Sequence, residues 1–128
     1  MNKGIIIVIL ATLLLIVGGV LLMSRNSGSG GSSKPLPSPT SYEYYWGNGC
    51  PHCKNVEDFL STWDKKDKVS ITKYEVWDNA SNAKRMQERV ITCGIDPKGM
   101  GVPLLFTLDG KCLDGDEPII KFFKELKP

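Results

Sequence analysis

The chain has 128 residues, enough for one compact domain and little else, and a formal net charge of +2. Its charges are unevenly placed: residues 42–128 hold thirteen of the sixteen basic side chains and all fourteen acidic ones, a formal −1. No basic or aromatic stripe is present, so the composition gives no footing for nucleic-acid binding.

Residues 4–23 form a twenty-residue stretch without a charge, in which Thr12 is the only polar side chain. At about 1.5 Å per residue such a helix spans about 30 Å, the thickness of a bilayer's hydrocarbon core. An uncleaved anchor and a cleaved signal peptide are the two alternatives. The length of the run and the missing Ala-x-Ala pattern before Ser24-Arg25 favour the anchor, so residues 1–23 are expected to form a single transmembrane signal anchor. Lys3 on one side and Arg25 and Lys34 on the other specify orientation weakly. Residues 24–41 are rich in Gly and Ser and then in alternating Pro, a composition that buries no apolar surface and predicts a disordered linker.

The folded part is expected over 42–128. Tyr42 to Trp46 reads as a strand and ends at the turn signal Gly47-Asn48-Gly49. From Pro51, the side chains Cys53, Val56, Phe59, Leu60 and Trp63 recur at helical spacing, and proline suits a first helical turn. Val69 to Trp77 reads as a second strand whose alternation slips between Ile71 and Tyr74. Asp78 or Asn79 caps a helix with Ala83, Met86, Val90 and Cys93 on its apolar face, and Gly94 stops it. A loop leads to Val102-Pro103. Leu104–Leu108 and Lys111–Leu113 then flank Asp109-Gly110, a favoured type I′ hairpin pair. Pro118, followed by Ile119, Phe122, Phe123 and Leu126, opens a last amphipathic helix. The order β-α-β-α-β-β-α predicts an α/β domain: one four-stranded mixed sheet flanked by helices.

Cys50-Pro51-His52-Cys53 carries the chemistry. A CxxC that follows a strand and opens a helix in a βαβ pattern is a thioredoxin-like redox signature. The unpaired N–H groups and positive dipole end of a first helical turn stabilise a thiolate at Cys50. Cys53, nearly one turn on, is within reach to close a ring, so Cys50 is the expected nucleophile and Cys53 the resolving thiol. Pro51 and His52 lie between them as tuning residues; a protonated His52 adds positive charge beside the thiolate. The alternative is that the CxxC is half of a zinc site completed by Cys93, Cys112 or His52. Cys93 and Cys112 stand alone, nineteen residues apart, and His52 lies inside the motif, which fits redox tuning better; no metal is expected.

Tyr44-Tyr45-Trp46-Gly47-Asn48-Gly49-Cys50-Pro51-His52-Cys53-Lys54, with Gly101-Val102-Pro103 and Asp114-Gly115-Asp116 in order behind it, resembles the glutaredoxin-like members of the thioredoxin superfamily over residues 42–126. The resemblance implies a thioredoxin-like fold in which Pro103 is cis and lies against the CxxC. It also implies that Val102 offers backbone groups to a bound peptide or glutathione. Asp114, Gly115 and Asp116 resemble the glutaredoxin region that contacts glutathione, and are also a plain turn and helix cap. The Pro51-His52 dipeptide is similar to that of the DsbA-type periplasmic disulfide oxidases. The chain departs from both groups. It lacks the oxidases' large helical insertion, and it has Gly47-Asn48-Gly49 where glutaredoxins often carry a basic residue.

In the expected fold Cys93 and Cys112 meet at the end of the sheet opposite the CxxC, either as a structural disulfide or as two buried thiols. A disulfide persists outside the cytoplasm, which agrees with an anchor. The expected function is therefore a single-pass membrane thiol–disulfide oxidoreductase with its catalytic domain outside the cytoplasm, an oxidase, reductase or isomerase. It needs no cofactor beyond its own dithiol, with glutathione a candidate. Its partners are protein thiols and disulfides, with glutathione or a membrane redox protein to reset the couple. The competing reading is a membrane-anchored, non-catalytic binding module whose CxxC is a structural disulfide or zinc clamp.

Overall fold

The computed structural model describes residues 3–5, 7, 9, 10, 12, 13 and 36–127. The chain divides into two units, Met1–Ser33 and Lys34–Pro128. In the first, the described residues are helical, with Ile5, Ile7, Ile9, Leu10 and Leu13 exposed. Among the described residues no helix is long and apolar enough to cross a membrane. The anchor expected over residues 1–23 falls largely outside them, as does the expected linker up to residue 35.

The second unit is built on a sheet of strand order β2-β1-β3-β4. Strand β1 (Tyr42–Trp46) pairs in parallel with β2 (Ile71–Glu75) and antiparallel with β3 (Leu104–Phe106), which pairs antiparallel with β4 (Cys112–Asp114). A parallel pair cannot be closed by a tight turn, and helix α1 (Pro51–Thr62) makes the crossover. Helix α2 (Ala80–Thr92) joins β2 to the hairpin, and α3 (Asp116–Glu125) ends the fold. The expected β-α-β-α-β-β-α mixed sheet with flanking helices is the observed one.

Alternation along β1 decides which helix packs where, because successive side chains point to opposite faces. Tyr44 joins Val56, Leu60 and Trp63 of the α1 region, Leu105, and Ile119 and Phe123 of α3 in one core. Tyr45 joins Val76, Met86 and Val90 on the α2 side, with Leu104 and Phe106. Three tyrosines and a tryptophan in five residues thus serve two cores at once.

Three local expectations change. Strand β2 is shorter than 69–77, spanning Ile71–Glu75, so the slip in alternation lies inside the strand. The hairpin is not type I′: that turn needs two residues with positive φ, and only Gly110 has one (φ 81). Thr107 O accepts from Gly110 N at 3.0 Å and Thr107 N donates to Lys111 O at 2.9 Å, the pattern of a turn followed by a glycine bulge. Residues 36–41, expected as linker, lie on the domain. Leu36, Ser38 and Pro39 line a cavity of about 320 Å³ with Arg89, Phe106 and Leu108, and the Ser41 and Thr72 hydroxyls share a 2.6 Å hydrogen bond.

Of the two caps the sequence offers, Asp78 and Asn79, helix α2 uses Asn79, which accepts from Asn82 N at 3.1 Å. It stops at Gly94 (φ 72), with Ile95 N donating to Val90 O and Gly94 N to Ile91 O, a Schellman closure. That stop sets Cys93 against Cys112, and the two are joined in a disulfide with Cα atoms 6.1 Å apart. Cys112 is opposite Phe106, and Phe106 opposite Glu43. The bridge is therefore at the start of β1, the end away from Cys50.

The α2 face also buries a charge. Glu43 is 2 % exposed and Arg89 2 %. Arg89 donates to both Glu43 oxygens (2.9 and 3.0 Å), Arg85 donates at 2.5 Å and the Tyr45 hydroxyl at 2.6 Å. Burial pushes the Glu43 carboxyl up, but these hydrogen bonds outweigh it and hold it at about 2. The guanidinium planes are used as well, Arg89 over Phe106 and Arg85 over Tyr74.

Candidate active site

Strand β1 delivers the chain to the site and a tight turn redirects it. Cys50 N donates to Gly47 O at 3.1 Å, and Gly49 takes φ 79, a conformation that favours glycine. Cys50 becomes the N-cap of α1, with Pro51 at the first helical position, as the sequence predicts. An N-cap side chain accepts from a free N–H of the first turn, and here the acceptor is sulfur: Cys53 N donates to Cys50 Sγ at 3.1 Å. A thiolate at Cys50 receives that hydrogen bond and the positive end of α1 together.

Cys50 and Cys53 are joined in a disulfide, with Cα atoms 5.2 Å apart. Cys50 is 7 % exposed and Cys53 2 %, so Cys50 is the sulfur nearer to solvent. Across from it, the Val102–Pro103 peptide is cis, and Val102 O lies 3.7 Å from Cys50 Sγ. Val102, 49 residues beyond Cys53 in sequence, stands beside the CxxC, and the peptide that joins it to Pro103 is cis as the resemblance implies. Cys93 and Cys112, two of the three residues named to complete a zinc site with the CxxC, are bonded to each other at the far end of the sheet, and the third, His52, faces Asp116. Among the described residues no group of three or more His, Cys, Asp or Glu is placed to hold a metal ion.

Asp116 reaches the site by a route the sequence did not suggest. It opens α3, and its Oδ2 lies 3.1 Å from His52 Nδ1 and accepts from Asn55 Nδ2 at 2.6 Å. Those two hydrogen bonds, Asn55 first and His52 second, hold the Asp116 carboxyl at about 2. Gly115, with φ 92, caps α3 and donates its N–H to Pro103 O at 2.9 Å, tying the helix start to the cis-proline loop. Asp114, the last residue of β4, is opposite Leu104. The Asp114-Gly115-Asp116 turn thus adjoins the dithiol, with the Asp116 carboxylate engaged by α1.

Several supporting residues escaped the sequence reading. Asn55 stands one turn after His52, so i, i+3 spacing was its available signal. The Tyr44 hydroxyl donates to Cys53 O at 3.2 Å from within the core, and burial pushes that phenol far up. Glu75 braces the loop before Cys50: its Oε1 accepts from Asn48 N (3.3 Å) and Trp77 N (2.9 Å), and its Oε2 from Asp78 N (2.9 Å). The Trp77 ring lies directly over Gly47, where a Cβ would come within 2.3 Å of it. Nothing in the sequence links these residues, because the link runs between parallel strands.

A groove of about 540 Å³ borders the dithiol, lined by Trp46, Gly47, Gly49, Cys50, Pro51 and Cys53 and by Lys54, Glu57 and Asp58 of α1. Chemically, the site offers a disulfide whose Cys50 sulfur accepts a backbone N–H at the helix start and faces a backbone carbonyl. The glutaredoxin family model matches residues 42–113, more than half of the chain. No curated protein and no solved structure matches the chain.

Proposed function

The chain belongs to the glutaredoxin family, and from that premise we propose that it is a thiol–disulfide oxidoreductase acting on exported proteins, tethered to the membrane by residues 4–23. The observation that carries the reading is the place of Cys50: an N-cap sulfur that accepts from Cys53 N at 3.1 Å and lies 3.7 Å from Val102 O.

In the reducing direction the Cys50 thiolate attacks a substrate disulfide, forming a mixed disulfide and releasing the substrate's other sulfur as a thiolate. Cys53, as a thiolate, then attacks Cys50 Sγ and releases the substrate's second thiolate. The substrate gains two electrons, and the enzyme ends as the Cys50–Cys53 disulfide. Oxidation of a substrate dithiol is the same sequence reversed, and isomerisation is its first half followed by attack from another substrate thiol. Val102 offers backbone groups to the substrate chain beside the mixed disulfide. Glutathione or a membrane redox partner resets the couple. The Cys93–Cys112 bridge, stable where thiols are not kept reduced, supports a domain outside the cytoplasm.

Trapping tests this directly. Cys53→Ser, expressed as the full chain, is expected to accumulate mixed disulfides with exported proteins that dithiothreitol releases and that Cys50→Ser abolishes. A membrane-impermeant maleimide is expected to label Cys50 of that variant in intact cells. If Cys50 is alkylated readily in the purified variant yet no mixed disulfide forms, the enzymatic reading is overturned; if the impermeant reagent labels only lysed cells, the location is.

A further inference from the structure

We infer that Trp77 is a specificity-determining residue of the dithiol site: its exposed indole receives an aromatic side chain standing two residues from the reacting cysteine of an extended polypeptide. The inference rests on the thiol–disulfide reading above and names the class of substrate segment that the site takes.

The ring and the dithiol share one turn. Val76 N donates to Trp46 O at 2.9 Å, which carries the β1–β2 pairing one residue past Glu75 and sets Trp77 just beyond the end of β1. The Trp77 ring lies over Gly47, whose carbonyl accepts from Cys50 N at 3.1 Å. Gly47 also lines the groove beside the dithiol, with Trp46, Cys50 and Pro51. One Glu75 oxygen fixes both sides of this contact, accepting from Trp77 N at 2.9 Å and from Asn48 N at 3.3 Å. The indole is thus held on the backbone of the Cys50 loop, yet Trp77 is 58 % exposed. Among the described residues of the domain, the other exposed large apolar side chains are Ile91, Ile95 and Leu108. Each is within a few residues of Cys93 or Cys112, at the far end of the sheet.

Sheet order sets what the ring can meet. Strands β2 and β3 flank β1, the first parallel to it and the second antiparallel. The end of β2 and the start of β3 therefore both lie at the Cys50 end. The Cys50 loop is bracketed, by Val102 O at 3.7 Å on the β3 side and by Trp77 on the β2 side. Neighbouring strands are about 4.8 Å apart, an extended chain rises about 3.3 Å per residue, and its alternate side chains share a face. A substrate chain that crosses the strand ends with its cysteine bonded to Cys50 brings the side chain two residues along over the end of β2, where the indole stands. Aromatic rings gain from stacked or edge contact beyond the area they bury, so an aromatic side chain is the occupant this ring favours. Folded proteins keep most such side chains inside, so the segment belongs to an unfolded or partly folded chain.

The test uses the full chain in detergent, carrying Cys53→Ser, and short peptides whose single cysteine is held as a disulfide with thionitrobenzoate. The Cys50 thiolate attacks the peptide sulfur, forming the mixed disulfide, while the old S–S bond breaks and thionitrobenzoate leaves as a coloured thiolate. Phe, Ala or Lys is placed two residues before or two residues after the cysteine. With Trp77 present, Phe on one of the two sides is expected to raise the second-order rate constant over Ala by about threefold to tenfold, the worth of one aromatic pair. Trp77→Ala is expected to bring that ratio close to one, and Trp77→Phe to keep most of it. A ratio is the readout because displacement of the Cys50 loop slows every peptide alike, whereas loss of a contact slows the Phe peptide alone. Thermal melts identify a variant that fails to fold; Trp77→Leu, which still covers Gly47, then decides by the same ratio. No preference for Phe on either side, a preference for Lys, or an equal ratio without the indole overturns the inference. So does self-association of the full chain that Trp77→Ala abolishes, which would seat a second copy on the ring. If Cys50 displaces thionitrobenzoate no faster than free cysteine does, the oxidoreductase reading itself fails, and the inference with it.

Discussion

Glu43 and Arg89 meet in a bidentate pair, at 2.9 and 3.0 Å, between the central strand and α2, and both are 2 % exposed. Breaking one side of a buried pair strands the other charge in the interior, which costs about 3–5 kcal/mol. Glu43→Gln is therefore expected to lower the unfolding free energy by about that amount, read from urea denaturation. Replacing Glu43 and Arg89 together by apolar residues of similar volume is expected to cost much less. An equal loss in both variants would show that packing, not charge, holds this contact.

The same carboxylate gives the domain an acid limit. Its folded-state value of about 2 lies below the ordinary 4.5, so the folded state binds the proton more weakly than the unfolded chain does. The stabilisation is complete above the unfolded value and fades as pH falls from about 5 toward 2. Unfolding midpoints measured across that window are expected to fall with pH in wild type and to fall less steeply in Glu43→Gln.

Gly47 has no room for a side chain under Trp77. Gly47→Ala must displace the indole or the loop that leads to Cys50, at a cost of about 1–3 kcal/mol. The cost is expected to shrink markedly in a Trp77→Ala background, where the clash is gone. A double-mutant cycle checks it, and additive effects would count against the contact.

The Cys93–Cys112 bridge closes a loop of nineteen-residue separation. In the chain-entropy model such a cross-link contributes about 3 kcal/mol. Replacing both cysteines by Ala is expected to remove about that much stability. The glutathione equilibrium of Cys50–Cys53 should not move, since the two bridges stand at opposite ends of β1. A shift in that equilibrium would reveal coupling along the sheet.

Much of the site was legible in the sequence because its core is local. Four consecutive residues, a preceding strand and a proline at the first helical position are enough to set the N-cap sulfur, since helix termini always leave N–H groups to be satisfied. Val102-Pro103 was legible only through the family resemblance; spacing alone would show an ordinary X-Pro. Glu43 was passed over as one polar residue in an aromatic strand. Its inward alternation and the i, i+4 pair Arg85 and Arg89 were the available signals.

By itself, the sequence determined the order of elements, the cap and polarity of α1, and the Gly94 stop of α2, with its cap at Asp78 or Asn79. All of these follow from periodicities and backbone preferences that act within about a dozen residues. Only the tertiary structure decided which distant groups meet. It turned Asp116 toward His52 rather than leaving it as a simple helix cap, laid Trp77 over Gly47, and braced the Cys50 loop through Glu75. It also replaced the expected type I′ hairpin by a glycine bulge, because a single positive φ suffices once Thr107 and Lys111 close the ladder. The physical reason is the same in each case. Hydrogen bonds between elements depend on sheet register and helix placement, and those are settled by burying both faces of one sheet at once.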